Sequence, residues 1–325
     1  MSGVATSVVD TPGGDAAGGR RAERDVELAA EIRELVAAND AVLLAHNYQR
    51  SEVQDVADIV GDSLGLSRQA AATDASVIVF AGVHFMAETA KILAPDKTVL
   101  VPEPRAGCPM ADMITAEQVI AWRQQFPGVP VVTYVNSSAE VKAESDTCVT
   151  SANAVEVIER LGARRILFAP DRNLAVWVAS KLPHVEVIAW EGFCPTHDQV
   201  TAEQVLAARA EHPDAEVIAH PECRPEVTAL ADAVLSTSQM LAYAARSAAD
   251  TLIVVTEEGL LHGLRKAAPG KTFVNLIPRM ICPNMKLTTI DKVRDALALG
   301  QYAIEVEPQV RERALAAVER MVAVG

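Results

Sequence analysis

The chain has 325 residues, half of them hydrophobic, with aromatics at only 4% and a formal net charge of −14. That length suits about two or three domains, with cores drawn from Ala, Val, Leu and Ile. The acidic balance argues against nucleic acid, whose recognition needs a basic footprint, and no run approaches the roughly 18 apolar residues of a membrane span.

From the N-terminus, residues 1–26 are rich in Gly and Ala, lack the apolar core of a signal peptide and read as a disordered tail. Residues 27–112 follow as a first α/β unit. Its apolar runs at 42–46, 77–80 and 98–101 have the length and composition of strands buried on both faces. The same order returns in residues 113–198, with runs at 131–134, 166–168 and 185–188. It returns again in 199–286, with runs at 217–220, 252–255 and 272–275. Each unit closes on a Cys-Pro dipeptide (Cys108-Pro109, Cys194-Pro195, Cys282-Pro283), spaced 86 and then 88 residues apart. Seven residues after each cysteine stands a matching word: Thr115-Ala-Glu-Gln-Val119, Thr201-Ala-Glu-Gln-Val205 and Thr289-Ile-Asp-Lys-Val293.

A fixed period with matched words signals internal duplication, and strands alternating with helices imply parallel sheets covered on both faces. The expected fold is α/β: three homologous three-layer α/β/α domains around a pseudo-threefold axis. The third word opens a helix with no fourth unit to serve, so residues 287–325 are expected to pack back on the first unit.

Polar residues follow the same frame. At the end of the first strand of each unit stand His46 and Tyr48, Tyr134 and Asn136, and His220 and Glu222. Seventeen residues after each leading position comes a hydroxyl: Ser63, Ser151 and Thr237. Carboxyl ends of strands and helix N-termini are where open α/β sheets bind ligands. Ser and Thr at helix starts are ordinarily only N-caps. The change of residue type at matched positions, His/Tyr/His and Tyr/Asn/Glu, argues against a purely structural need.

Five cysteines in such a chain point to a reducing cytoplasm and to metal or catalytic use. Cys148 aligns with Val60 and Val234, which fits an inert buried thiol; Cys223 aligns with Gln49 and Ser137 and has no symmetry partner either. Cys108, Cys194 and Cys282 would present three thiolates about one axis. An iron–sulfur cubane takes three such ligands and leaves one iron open to substrate. Zinc held by the three thiolates and His197 is the rival, although structural zinc sites usually draw on close CxxC pairs, which this chain lacks.

The motifs then resemble those of the quinolinate synthase family. They are Leu44-Ala-His-Asn-Tyr-Gln49, Gly61-Asp-Ser-Leu64, Gly82-Val-His-Phe-Met-Ala-Glu-Thr-Ala-Lys91, Ala106-Gly-Cys-Pro-Met-Ala-Asp112, Tyr134-Val-Asn136, Gly192-Phe-Cys-Pro-Thr-His197, Ala219-His-Pro-Glu222 and Cys282-Pro-Asn-Met-Lys286. They occur in order from about residue 27 to the C-terminus. The resemblance implies a cytoplasmic enzyme of NAD biosynthesis that condenses iminoaspartate with dihydroxyacetone phosphate to quinolinate, releasing phosphate and two waters. It implies a [4Fe–4S] cluster on Cys108, Cys194 and Cys282 with one open iron. It also implies a substrate pocket of His46, Ser63, Tyr134, Asn136, Ser151, His220, Glu222 and Thr237. Tyr48 and Glu222 match residues assigned to proton transfer, and His46 and His220 are further acid–base candidates. Transient contact with an aspartate-oxidising enzyme would fit an unstable imine substrate. Some relatives carry C-x-x-C-x-x-C at the last ligand; Leu276 and Arg279 stand here instead, so a disulfide switch there is expected to be absent. A non-catalytic iron–sulfur sensor and a zinc-stabilised binding protein for a phosphorylated metabolite are the other classes these residues allow.

Overall fold

The computed structural model describes residues 16–276 and 278–324, with side chains from residue 23 onward. The first unit runs α1 (Ala16–Ala38), β1 (Ala41–His46), α2 (Ser51–Val56), β2 (Ile59–Gly61), α3 (Ser63–Ala72), β3 (Val77–Ala81), α4 (His84–Leu93) and β4 (Thr98–Leu100). The second runs α5 (Ala116–Gln125), β5 (Val131–Tyr134), α6 (Ala139–Ala143), β6 (Thr147–Val149), α7 (Ala154–Leu161), β7 (Arg165–Ala169), α8 (Arg172–Lys181) and β8 (Glu186–Ala189). A one-turn helix, α9 (Pro195–Asp198), closes the second unit, and the third runs α10 (Ala202–Glu211), β9 (Glu216–Ala219), α11 (Pro225–Thr228), β10 (Ala233–Val234), α12 (Thr237–Arg246), β11 (Thr251–Val255), α13 (Leu260–Ala267) and β12 (Thr272–Asn275). Two helices, α14 (Ile290–Leu299) and α15 (Pro308–Val322), complete the chain.

The three sheets share one topology. Their orders are β2-β1-β3-β4, β6-β5-β7-β8 and β10-β9-β11-β12, all parallel. Each therefore has four strands where three are expected from the sequence. The extra strand, β2, β6 or β10, is two or three residues long, too short to carry a periodic signal, and it leads directly toward the matched hydroxyl residue.

Alternation along the strands makes each unit three-layered. Leu43, Ala45, Val79 and Ala81 pack with Leu28 and Ile32 of α1, Val53 and Val56 of α2, and Val293 and Leu297 of α14. Leu44, Ile78 and Phe80 face the opposite way, onto Leu64 and Leu66 of α3 and Ile92 of α4. A second threefold device was not apparent in the sequence. Asp58, Asp146 and Asp232 each accept a hydrogen bond from the amide at the strand opposite, Leu43 (2.8 Å), Val131 (2.7 Å) and Val217 (2.7 Å). Each also pairs with an arginine of the preceding helix, Arg33, Arg123 or Arg209. The matched words are helix starts: Thr115 with Gln118 and Thr201 with Gln204 form capping boxes. In the third word Lys292 takes the glutamine's place and reaches Glu103 instead.

Two expectations about the ends change. Part of the tail expected over residues 1–26 lies outside the described residues, but from Ala16 the chain is already helical, in α1. The Arg- and Glu-rich stretch favours helix, and Arg24 pairs with Asp291 of α14. Of the last two helices, α14 packs on α1, whereas α15 lies in the seam between the first two units, against α6 and β6 as well as α3 and α4. Its stripe of Ala314, Ala317, Val318 and Met321 is buried there. Arg68 of the first unit and Asn153 of the second both donate to carbonyls at its end. One core cluster thus spans the first two units, while the third keeps its own.

Candidate active site

The shared topology brings the carboxyl ends of three sheets to one internal cavity. It is lined by His46, Tyr48, Ser63, Cys108, Tyr134, Asn136, Ser151, Cys194, His220, Glu222, Thr237 and Cys282, so every candidate named from the sequence meets there. Its free volume, about 80 Å³, is several times the ~10–15 Å³ that one water needs. Cys148 and Cys223 are 0% and 1% exposed and lie in the core, away from it.

Local structure explains the placement. His46 ends β1 and Tyr134 ends β5, while His220 directly follows β9. The amides of Tyr48 and Glu222 turn back onto the Nδ1 atoms of His46 (3.2 Å) and His220 (3.4 Å), the same tight turn in two units. Ser63 and Thr237 open α3 and α12 behind the capping residues Asp62 and Ser236. Ser151 differs: it sits in a turn three residues ahead of α7, where Asn153 Oδ1 accepts from the amide and hydroxyl of Thr150.

The three Cys-Pro turns share one geometry. Each cysteine heads a helical turn, its carbonyl accepting from Asp112, from Asp198 and His197, or from Lys286. Backbone N–H groups two or three residues on point at the sulfur: Ala111 and Met110 at Cys108, His197 at Cys194, Met285 and Asn284 at Cys282. Burial nevertheless pushes all three thiols up, Cys108 to about 12, and the sulfurs of Cys282 and Cys108 raise Cys108 and Cys194 in turn. Three mutually repelling thiols with N–H donors in place suit a cationic centre, because a cation would ionise them and the amides would then stabilise the thiolates. None of the three is in a disulfide. The residues fit an iron–sulfur cluster. Cys194, His197 and Glu222 also bring three ligand atoms within 4.8 Å of one another and could hold a metal ion.

Glu222 is the electrostatic centre of the polar wall. It is 4% exposed, accepts from the Tyr134 hydroxyl at 2.6 Å and pairs with His197 Nδ1 at 2.8 Å. Burial works to raise its carboxyl. The neighbouring His220 and His197, with the hydrogen bonds from His197 and Tyr134, outweigh burial and hold it below the usual carboxylate range. Burial drives His46 and His220 the other way, each down to about 3, so both rings are neutral at physiological pH. Burial likewise lifts Tyr48 and Tyr134.

Sequence reasoning missed several members of this wall. His197, weighed only as a zinc ligand, stacks on His220 with ring centroids 4.8 Å apart. Its Nε2 lies 2.9 Å from the Thr256 hydroxyl, which is 2.5 Å from that of Tyr48. Its Nδ1 faces Glu222 on the other side, so a continuous chain of hydrogen-bonding groups joins Tyr48 to Glu222 through Thr256 and His197. Glu257 also lines the cavity; it accepts from the Cys282 amide and pairs with Lys286, whose ammonium also donates to the Tyr48 carbonyl. The available signal was position: Thr256 and Glu257 directly follow β11. Asn136 Oδ1 is buried in the cavity wall without a partner, at a cost of about 1–3 kcal/mol, which a ligand donor would relieve.

Three duplicated parallel α/β units that converge on one buried cavity of thiols and acid–base side chains define an enzyme of the central-site α/β class. A family model described as quinolinate synthetase A protein matches residues 30–323. The chain belongs to that family. Proteins named quinolinate synthase are 52% identical in Thermodesulfovibrio yellowstonii over 291 residues, 90% of this chain and 96% of the relative. In Dehalococcoides mccartyi and Geobacter metallireducens the identity is 53% over 294 residues, 90% of this chain and 96–97% of those relatives. No helix among the described residues is long and apolar enough to cross a membrane.

Proposed function

We propose that the protein is a cytoplasmic quinolinate synthase of NAD biosynthesis, condensing iminoaspartate with dihydroxyacetone phosphate and releasing phosphate and two waters. The observation that carries this reading is the meeting of three matched Cys-Pro turns, each aiming N–H groups at its sulfur, with a neutral-histidine and carboxylate wall in one cavity. Cys108, Cys194 and Cys282 would hold a [4Fe–4S] cluster. Bound there with one iron lacking a protein ligand, it supplies Lewis-acid chemistry for a dehydration. The alignment of the turns supports reading residues 27–112, 113–198 and 199–286 as the three homologous domains.

The chain's own residues divide the remaining work. Ser63 and Thr237 at helix N-termini, with Ser151 and Asn136, hold carboxylate and phosphate oxygens. Neutral His46 and His220 donate to carbonyl or carboxylate oxygens without adding charge. Ionised Glu222 accepts a proton in the cavity and the Tyr48 hydroxyl gives one, with Thr256 and His197 linking the two groups. Anaerobic purification with iron and sulfide analysis, an absorption spectrum and a quinolinate assay tests the reading. A colourless, zinc-bearing protein that forms no quinolinate would overturn it; an intact cluster without turnover would favour an iron–sulfur sensor.

A further inference from the structure

The fourth residue after each Cys-Pro cysteine holds one place in the three turns. The amides of Asp112, Asp198 and Lys286 donate to the carbonyls of Cys108, Cys194 and Cys282. In the second turn Asp198 is buried between Arg172 and Arg224, each at 3.2 Å. Its Oδ1 also accepts from Asn173 Nδ2 at 3.0 Å, and the same Nδ2 donates to the backbone carbonyl of Glu222, in the third unit, at 3.0 Å. In the third turn the Lys286 ammonium donates to the backbone carbonyl of Tyr48, in the first unit, at 2.5 Å. Glu257 answers its charge at 3.0 Å and accepts from the Cys282 amide at 3.1 Å. Both turns thus reach across a unit boundary to the carbonyl of a proton-transfer residue.

The donors differ, but the place they serve does not. Ala81, Ala169 and Val255 pair with Ala45, Thr133 and Ala219 in matched register. Four residues after each come Phe85, Asn173 and Gly259, which therefore share one repeat position. Gly259 lacks the amide that Asn173 carries, and a Cβ there would lie 2.6 Å from the Tyr48 carbonyl oxygen and 2.7 Å from Lys286 Nζ. The lysine fills the space of the missing amide and gives an N–H to the matched carbonyl. In the first turn the two places hold Asp112 and Phe85, whose side chains have no N–H, and the strand-end residue of the next unit, Asn136, is neither acid nor base. One such contact alone would be packing. A donor supplied by different residues at both proton-transfer positions, and not at the third, marks a requirement. On the catalytic reading above, we propose that Asn173 and Lys286 are positioning residues. Each ties the backbone of Glu222 or Tyr48 to the Cys-Pro turn of the neighbouring unit and so fixes its side chain relative to the cysteines.

Two measurements on the full, cluster-loaded chain test this, with thermal melts to verify folding. The chain has four tyrosines, so tyrosine labelled with carbon-13 at its carbonyl gives few resonances, and Tyr48→Phe identifies that of Tyr48 by deleting it. Lys286→Met and Gly259→Ala, the second of which removes no charge, are each expected to move the Tyr48 resonance and leave the others in place. Turnover per bound cluster is expected to fall roughly 10- to 100-fold in Lys286→Met, Gly259→Ala and Asn173→Leu, the cost of misplacing a reacting group by about 1 Å. Iron content and quinolinate affinity are expected to stay at the wild-type level. Lys286→Met added to Tyr48→Phe, and Asn173→Leu added to Glu222→Gln, are expected to cost nothing more, because the side chain being positioned is already gone. An unmoved Tyr48 resonance, wild-type turnover in Lys286→Met and Asn173→Leu, losses that multiply in the double variants, or activity lost only in step with iron would overturn the proposal. Failure of the catalytic reading shows separately, as wild-type protein that forms no quinolinate, and the tyrosine resonance reads the tie in either case.

Discussion

Glu222→Gln separates shape from charge at the centre of the polar wall. The carboxylate holds two bonds, from the Tyr134 hydroxyl at 2.6 Å and from His197 Nδ1 at 2.8 Å. A glutamine can satisfy both neighbours, its oxygen accepting from His197 and its amide donating to the tyrosine oxygen. Two charge-assisted bonds of about 1.5–3 kcal/mol each become neutral ones of about 0.5–1.5 kcal/mol, a structural loss of roughly 2–3 kcal/mol. The proton acceptor, however, is gone. Turnover is expected to fall by about 10²–10⁴, equivalent to ~3–5 kcal/mol of barrier, while quinolinate binding persists. The sign of the pH effect follows from the depressed carboxyl. Wild-type stability relative to Glu222→Gln is fully present above the ordinary value of 4.5 and lost only as pH falls through the lower folded value. Steady-state rates and equilibrium titration with quinolinate decide the matter. A variant that keeps its turnover number and only raises KM would refute the role of Glu222 in proton transfer.

Replacing Cys108, Cys194 or Cys282 by Ser is expected to abolish the cluster's absorbance and the activity, whereas Cys148→Ala, in the core at 0% exposure, keeps both; iron analysis of the variants checks this. Exposure to air with chelator is expected to inactivate the enzyme, and iron with sulfide under reducing conditions to restore it; unchanged activity after that treatment would exclude the cluster. Ser63→Ala, Ser151→Ala and Thr237→Ala are each expected to weaken substrate binding by roughly one to two orders of magnitude, one hydrogen bond to a charged group, measured as KM against turnover. Glu103, held down to about 2 by Arg105 first and by Lys292 of α14, contributes stability present above pH 4.5 and lost between 4.5 and 2. Glu103→Gln should therefore cost about 1–3 kcal/mol at neutral pH and nothing below pH 2, read from denaturant melts.

What was legible in the sequence is what duplication repeats. The period that set Cys108, Cys194 and Cys282 in register also set His46, Tyr134 and His220 at strand ends, and all six line one cavity. Long buried runs such as those of β3, β7 and β11 announced themselves by composition. The two- and three-residue strands did not, because β2, β6 and β10 carry too few residues for any pattern. The hydrogen-bonded link from Tyr48 to Glu222 was invisible for a different reason. His197 belongs to the second unit and Thr256 to the third, and they serve Tyr48 of the first only through contacts between units, at 2.9 and 2.5 Å. A repeat alignment compares positions within units and is blind to what meets across them.

The same distinction bears on how one scaffold came to hold asymmetric chemistry. Two devices are threefold, the aspartate–arginine clips and the Cys-Pro turns. The side chains that handle protons are not, since Tyr48, Asn136 and Glu222 occupy one repeat position with three chemistries. Packing is asymmetric as well, because α15 joins the first two units in one core while the third meets them across the cavity. A cavity on a symmetry axis can offer identical turns for a symmetric cluster, yet a substrate without symmetry needs different groups on each side. Conserving the backbone through duplication and diversifying the side chain at one strand-end position satisfies both demands.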